Sequence, residues 1–327
     1  MLAFNVFVFG DSALGGSNQF VLLLGGAVAA IMGFLNKVSY KTMIDEVAEN
    51  IKSTAGAILI LLMVGALAGT WLISGIIPSM IYYGLQILSP AIFLPATLII
   101  CSVISIATGS SWTTSATVGI ALIGIGGALG FDLGMVAGAV ISGAYFGDKL
   151  SPMSDTTNLA PAMAGTDLFT HIKYMTLTTI PTYIITLVLF IVLGLSVDVT
   201  GDANTDDLLN SITASFNVTP WLFLVPVIVI GLIVKKTEPL VALLVGTLLA
   251  GIFAIIFQPE IVNGITGAEN MTFKSAYKGV MQAITTEVIV PTKNKTLADL
   301  FTSGGMGKML PTIWLILCAM VFGGIMD

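Results

Sequence analysis

The chain has no arginine, a single histidine, two cysteines and few charges of any kind: 9% of its 327 residues are charged. Each shortage excludes something. A soluble domain needs roughly 25% charged residues to solvate its surface, whereas this chain is 56% hydrophobic. No soluble fold could hide that much apolar surface, so the chain is an integral membrane protein. All 12 basic residues are lysine. Arginine is the preferred bidentate partner of carboxylate and phosphate, and its absence argues against an organic-anion site of the guanidinium-clamp type. Helix N-termini and hydroxyls can still hold a carboxylate. Cys101 and Cys318 both lie in apolar stretches and suggest no disulfide. The net charge of −6 comes with no basic patch for nucleic acid. No Walker motif, zinc-ligand spacing or catalytic triad occurs, so neither an enzyme, a primary pump nor a bound cofactor is expected.

What the chain does have is long apolar runs rather than period-two alternation, which favours helices over a barrel. Spans are expected at Phe20–Leu35, Ala55–Ser74, Ile92–Ala107, Ala116–Gly130, Gly134–Phe146, Thr176–Leu195, Trp221–Val234, Leu240–Phe257 and Pro311–Ile325, with a shorter helix at Pro78–Leu88. The apolar Met1–Gly10 is too short to span and lacks the basic start of a signal peptide. It reads as the last turns of a helix that begins earlier. The 35 glycines fit close helix packing, and Gly65/Gly69, Gly126/Gly130 and Gly143/Gly147 each have the small-xxx-small spacing. Lysines set the orientation. Lys37, Lys41 and Lys52, then Lys149 and Lys173, then Lys235 and Lys236 mark cytoplasmic loops, while Val197–Leu208, with four aspartates and no lysine, falls outside. The long segment Gln258–Leu310 carries five lysines yet must also lie outside.

Val21–Gly75 and Leu240–Gly324 share an order: apolar span, amphipathic stretch with spaced lysines, then a span ending in glycine. "LLLGGAVAAIMGF" echoes "LLVGTLLAGIFAI". The copies enter the membrane from opposite sides. The expected fold is therefore an all-α polytopic membrane protein, an inverted-repeat secondary transporter with re-entrant or broken helices. Residues 1–195 form the first repeat with its hairpin and ion-site loop, 196–219 an extracytoplasmic acidic loop, and 220–327 the start of a second, truncated repeat. On this reading the chain is a fragment, because its second copy stops before reaching the polar motifs of the first.

Two polar motifs interrupt the apolar background. In Thr108-Gly-Ser-Ser-Trp-Thr-Thr-Ser-Ala-Thr117 the flanking apolar runs of about 16 and 15 residues, roughly 22–24 Å as helix, fall short of the ~30 Å hydrocarbon core. Short arms meeting at a hydroxyl-rich turn suggest a re-entrant hairpin. Ser110, Ser111, Thr113 and Thr114 would supply hard oxygen ligands from its tip. The alternative is a tight cytoplasmic loop with serines capping a helix. The second motif is Gly147-Asp-Lys-Leu-Ser-Pro-Met-Ser-Asp-Thr-Thr-Asn158. Ionisable groups near bilayer depth are costly and usually kept for function. A bare cation such as Na⁺ needs several oxygen ligands and a carboxylate to offset its dehydration. Asp155, Thr156, Thr157 and Asn158 offer these within one turn, and Pro152 and Pro161 free backbone carbonyls. Asp155 is the first choice for the ion carboxylate and Asp148 the second. The alternative makes Asp148 and Lys149 a surface pair and Asp155 an N-cap.

Desolvation raises a carboxyl pKa, so an empty site at Asp155 is expected to hold a proton that a metal ion must expel. If only the proton-loaded and ion-loaded forms reorient, competition for one carboxylate then produces ion/proton antiport. His171 is either a pH sensor or an interfacial helix residue. Asp45, Glu46 and Glu49, with Lys41 and Lys52, read as the solvated face of an amphipathic helix. Three matches to the glycosylation sequon, at Asn217, Asn270 and Asn294, carry little meaning without a known host.

"ATGSSWTTSATVGIALIGIG" at residues 107–126, "GAYFGDKLSPMSDTTNLAPAMAGTDLFTHIKYM" at 143–175 and "GTWLISGIIPSMIYYGL" at 69–85 resemble the NhaC-type sodium/proton antiporters, within the larger ion-transporter superfamily. The resemblance covers roughly residues 15 to 327. It implies a multi-pass inner-membrane secondary transporter that exchanges Na⁺ for H⁺, with both ions and the bilayer as its partners. Some relatives exchange malate for lactate with these ions, which is the main competing substrate. Members are typically longer, with a second set of polar motifs in the C-terminal half, so the resemblance also implies a chain that lacks that part. A homodimer stays open, and a non-transporting membrane scaffold or receptor is the rival from another class.

Overall fold

The computed structural model describes residues 2–87, 89–152, 154, 157, 160–161, 166–196, 205–235, 237–292 and 295–326. Its helices are α1 (Leu2–Phe9), α2 (Ser17–Leu35), α3 (Tyr40–Ile73), α4 (Ile76–Ile87), α5 (Pro90–Thr108), α6 (Ser111–Thr114), α7 (Ile120–Ala128), α8 (Leu133–Leu150), α9 (Leu168–Ser196), α10 (Thr205–Ser215), α11 (Leu224–Val234), α12 (Pro239–Phe257), α13 (Pro259–Thr266), α14 (Phe273–Thr285), α15 (Lys295–Leu300) and α16 (Leu310–Met326). A two-stranded antiparallel ribbon, β1 (Val288–Ile289) with β2 (Thr302–Ser303), separates α14 from α16.

Among the described residues, six helices are long and apolar enough to cross a membrane: those at 17–35, 40–73, 90–107, 168–196, 239–257 and 306–326. The expected spans at 116–130, 134–146 and 221–234 fall in helices that are shorter, broken or less apolar. Asp148 and Lys149 make the end of α8 polar, while α10 and the helix after it form one pair bent by 81°. The acidic loop expected at 196–219 contains α10. That helix buries Leu208 and Ile212 in the core, and Phe216, just past its end, continues the same spacing of four. The amphipathic stretch and the second span, read separately in the sequence, are one 34-residue helix, α3. Nothing between Lys52 and Ala55 breaks it. Ser39 caps it by accepting from the Thr42 N–H at 3.1 Å, Asp45, Glu46 and Glu49 are exposed, and Lys52 pairs with Glu49.

Helix directions follow from contacts. Gly16 lies beside Trp314, Gln19 Nε2 donates to the Pro311 carbonyl at 3.2 Å, and Gly26 lies beside Ile325, so α2 and α16 run the same way. Gly65 meets Gly305 and Gly324 meets Val47, so α3 and α16 are antiparallel. Gly246 faces Leu67, and Gln258 at the end of α12 reaches Gly75 just past α3, so α3 and α12 run the same way. It follows that α2 and α12 are oppositely directed. Gln258 also pins the bend after α10, accepting from the Asn217 N–H and donating to its carbonyl.

A candidate ion site at the hairpin and the end of α8

The site is built where α5 and α8 cross. A Cβ at Gly143 would run into the Leu98 carbonyl and Cys101, and one at Gly147 into the Ser102 carbonyl, Ser105 and Ile106. Only glycine lets the two backbones approach this closely. Two buried hydroxyls then bridge the helices: Ser105 donates to the Ala144 carbonyl, and Ser151 donates to the Ile106 carbonyl at 2.8 Å. Gly143/Gly147 is thus a close helix crossing, as is Gly65/Gly69, whose helix face lies against Gly305 and Ala283. Gly130 instead makes a turn, with φ +88°.

At the end of α5 the chain reverses through Gly109 (φ +68°), whose N–H donates to the Ser105 carbonyl. The first hairpin arm is longer than the sequence suggested. α5 has 19 residues, about 28 Å at 1.5 Å each, because Pro90 opens the helix before the apolar run begins. The second arm includes a π-helical segment, Ser115–Gly119, between α6 and α7. Such segments interrupt the α ladder and frequently occur at functional sites.

The reversal delivers Ser111 to the last turn of α8, where its hydroxyl donates to Asp148 Oδ2 at 2.8 Å. Asp148 is half-buried and Ser111 is 4% exposed. The Asp148 carbonyl accepts from the Thr157 hydroxyl at 3.1 Å and from the Ser151 N–H at 3.2 Å. Thr157 also donates to the Lys149 carbonyl, and Ser154 Oγ accepts from the Thr157 N–H. Ser151, Ser154 and Thr157 are all buried. The result is a compact group of carboxylate, hydroxyl and carbonyl oxygens. Asp148 makes no ion pair with Lys149 among the described residues.

The structure places the residues singled out from the sequence as follows. Ser111, Asp148 and Thr157 come together. Ser110 and Thr114 lie in the adjoining turn, where the buried Thr114 hydroxyl donates to the Ser110 carbonyl at 2.9 Å. Thr113 lies on α6, and its side chain is outside the description. Asp155, Thr156 and Asn158 lie outside the described residues. Sequence reasoning missed Ser105, because it sits inside an apolar run. Its signal was its spacing from Ser102, three residues apart on the face that meets the glycines of α8.

A model of the Na⁺/H⁺ antiporter family matches residues 143–327, a region that begins at the crossing glycine. The chain is 39% identical over 315 residues to a malate-2H⁺/Na⁺-lactate antiporter of Bacillus subtilis, covering 94% of this chain and 63% of that protein. It is 37% identical over 290 residues to the Na⁺/H⁺ antiporter NhaC of the same organism, covering 88% of this chain and 61% of the relative. To the Na⁺/H⁺ antiporter NhaC of Alkalihalophilus pseudofirmus it is 34% identical over 300 residues, 92% and 62% of the two chains. The chain therefore spans less than two thirds of the length of these curated relatives. No solved structure matches it. With a match over more than half its length and six helices fit to cross a bilayer, the chain is a multi-pass cell-membrane protein that belongs to the Na⁺/H⁺ antiporter family.

Proposed function

We propose that the protein exchanges Na⁺ for H⁺ across the cytoplasmic membrane, with Asp148 as one carboxylate that the two ions compete for. The observation that carries this reading is the Ser111–Asp148 contact, which sets a carboxylate among hydroxyl and carbonyl oxygens where two helices end. Hard oxygen donors suit Na⁺. A carboxylate in the last turn of a helix also faces the negative end of the helix dipole. Asp148 therefore gains from a neutralising partner, and either a proton or a Na⁺ ion supplies one. On the sequence pattern alone, Asp155 is the second carboxylate of this proposal, with Thr156 and Asn158 as further oxygen ligands.

Reciprocal packing supports a two-fold, inverted-repeat architecture for this function. In the alignment of "LLLGGAVAAIMGF" with "LLVGTLLAGIFAI", Gly25 corresponds to Gly246. Gly25 of α2 faces Phe322 of α16, and Gly246 of α12 faces Leu67 and Trp71 of α3. Each copy's first span thus packs on the other copy's last one, and the two first spans run oppositely. In such transporters substrate sites form between the halves.

A second reading, malate/lactate exchange coupled to Na⁺ and H⁺, is favoured by the 39% identity to the malate-2H⁺/Na⁺-lactate antiporter. Everted membrane vesicles carrying the protein separate the two. Energised by respiration, they should lose their pH gradient on addition of Na⁺ alone, and Asp148→Asn should cut that response at least tenfold. A response that requires malate or lactate would replace the first reading by the second. Full pH-dependent exchange in both Asp148→Asn and Asp155→Asn would remove the shared carboxylate mechanism.

A further inference from the structure

A groove of about 370 Å³ lies between α8 and α9, outside the oxygen cluster. Ser142, Tyr145 and Lys149 line it from α8, and Thr178, Thr182 and Tyr183 from α9. The two helices are antiparallel here. The Phe146 ring stacks on Tyr183 at 3.8 Å between centroids, and Phe190 approaches Gly138. Lys149, in the last turn of α8, therefore reaches toward the N-terminal part of α9, the end that carries Lys173. The lysine distribution puts that end on the cytoplasmic side.

Two features make the groove unlike a packing defect. First, its ammonium has no carboxylate partner among the described residues. Lys149 is exposed and forms no ion pair among the described residues. Second, two of its threonines are already committed, because the Thr178 and Thr182 hydroxyls donate to the Met175 and Thr178 carbonyls of their own helix. The lysine ammonium is the cationic donor left to meet an incoming anion, with the Tyr145 hydroxyl on the same wall. Around this polar trough the surface is apolar: Ile141, Leu177 and Ile184 are each at least half exposed. A polar trough with one cation, flanked by exposed aliphatic side chains, matches a molecule with an anionic head and hydrocarbon tails.

We propose that this groove binds the phosphate of an anionic phospholipid from the cytoplasmic leaflet, with Lys149 as its charge partner. Basic pockets between membrane helices on that side recognise such headgroups, and each lysine near the surface strengthens the attraction about fivefold. The inference is independent of which ions the protein carries.

Native mass spectrometry of the purified protein tests it, with phosphatidylglycerol, phosphatidylcholine or inorganic phosphate added in turn. Phosphatidylglycerol should be retained about fivefold more tightly than phosphatidylcholine. Lys149→Gln should erase that preference and Lys149→Arg should keep it, while Lys308→Gln, a lysine outside the groove, should leave it unchanged. Equal retention of the two lipids would overturn the proposal, as would a preference that survives Lys149→Gln. Inorganic phosphate that binds with the same dependence on Lys149 and displaces the lipid would overturn the lipid assignment in favour of free phosphate. Because Lys149→Arg keeps the charge, a loss seen in both variants would mark a structural role for the side chain and also count against the proposal.

Discussion

Two helix crossings use the same device and end with opposite chemistry. Where α8 meets α5, Gly143 and Gly147 bring the backbones together, and the hydroxyls of Ser105 and Ser151 cross between the helices. Where α12 meets α3 and α11, Gly246 sits against Leu67 of α3 and Val229 of α11, and the contact is apolar. There the buried Trp71 indole N–H finds no acceptor among the described residues. A glycine fixes only how close two helices come. Whether the crossing becomes a scaffold or a site depends on what the partner helix offers. α5 offers serines and then reverses into a hydroxyl-rich turn, whereas α3 offers leucine and tryptophan.

The strongest way to break this contrast is Gly147→Leu. Its Cβ has no room against Ser102, Ser105 and Ile106, so the crossing must separate at a cost of about 3 kcal/mol or more. Thermal unfolding in detergent should fall sharply and exchange in vesicles should disappear with it. At the apolar crossing, Gly246→Val meets only the flexible tips of Val229 and Leu67. It should cost about 1–3 kcal/mol in the same unfolding assay while leaving the Na⁺ dependence of the remaining activity intact. A changed Na⁺ dependence in Gly246→Val would show that the scaffold and the site are not separable.

Ser111→Ala removes one hydrogen bond to a charged group, worth roughly 1.5–3 kcal/mol in general. Much of that loss should appear as a weaker apparent Na⁺ affinity, because water or the ion can still solvate a half-buried Asp148. A vesicle titration with Na⁺ reads it, and an unchanged half-maximal concentration would remove Ser111 from the site. The smallest effect is expected at Thr97→Val. The Thr97 hydroxyl is buried on α5 and has no partner among the described residues. Its removal should be neutral or stabilising by up to about 1 kcal/mol, in contrast to Ser105→Ala on the same helix, which strips a bridge to α8.

Much of the fold was legible because hydropathy is a local signal. Six of the expected spans are helices long enough to cross a bilayer, and the solvated face of α3 was visible in its charges. The failures share a cause. α10 reads as acidic loop because its aspartates dominate the composition, yet Leu208, Ile212 and Phe216 point to one side and are buried. α5 extends beyond its apolar run because a proline at the first turn starts a helix earlier than hydropathy does. In the site, Asp148 and the hydroxyl-rich turn stood out as polar groups in an apolar chain. Ser105 did not, since a serine inside a hydrophobic run gives no sign of its partner.

By itself the sequence determined that this chain lives in a membrane, where its long apolar helices run and which short stretches carry polar chemistry. These follow from composition and spacing alone, because burial in lipid forces long apolar helices. Only the tertiary structure decided that Ser111, 37 residues before Asp148, is its hydrogen-bond donor, and that Gly25 packs on α16 while Gly246 packs on α3 and α11. Both depend on which helices touch and in what direction. Glycines and reversals at distant points of the chain set that, and no local pattern records it.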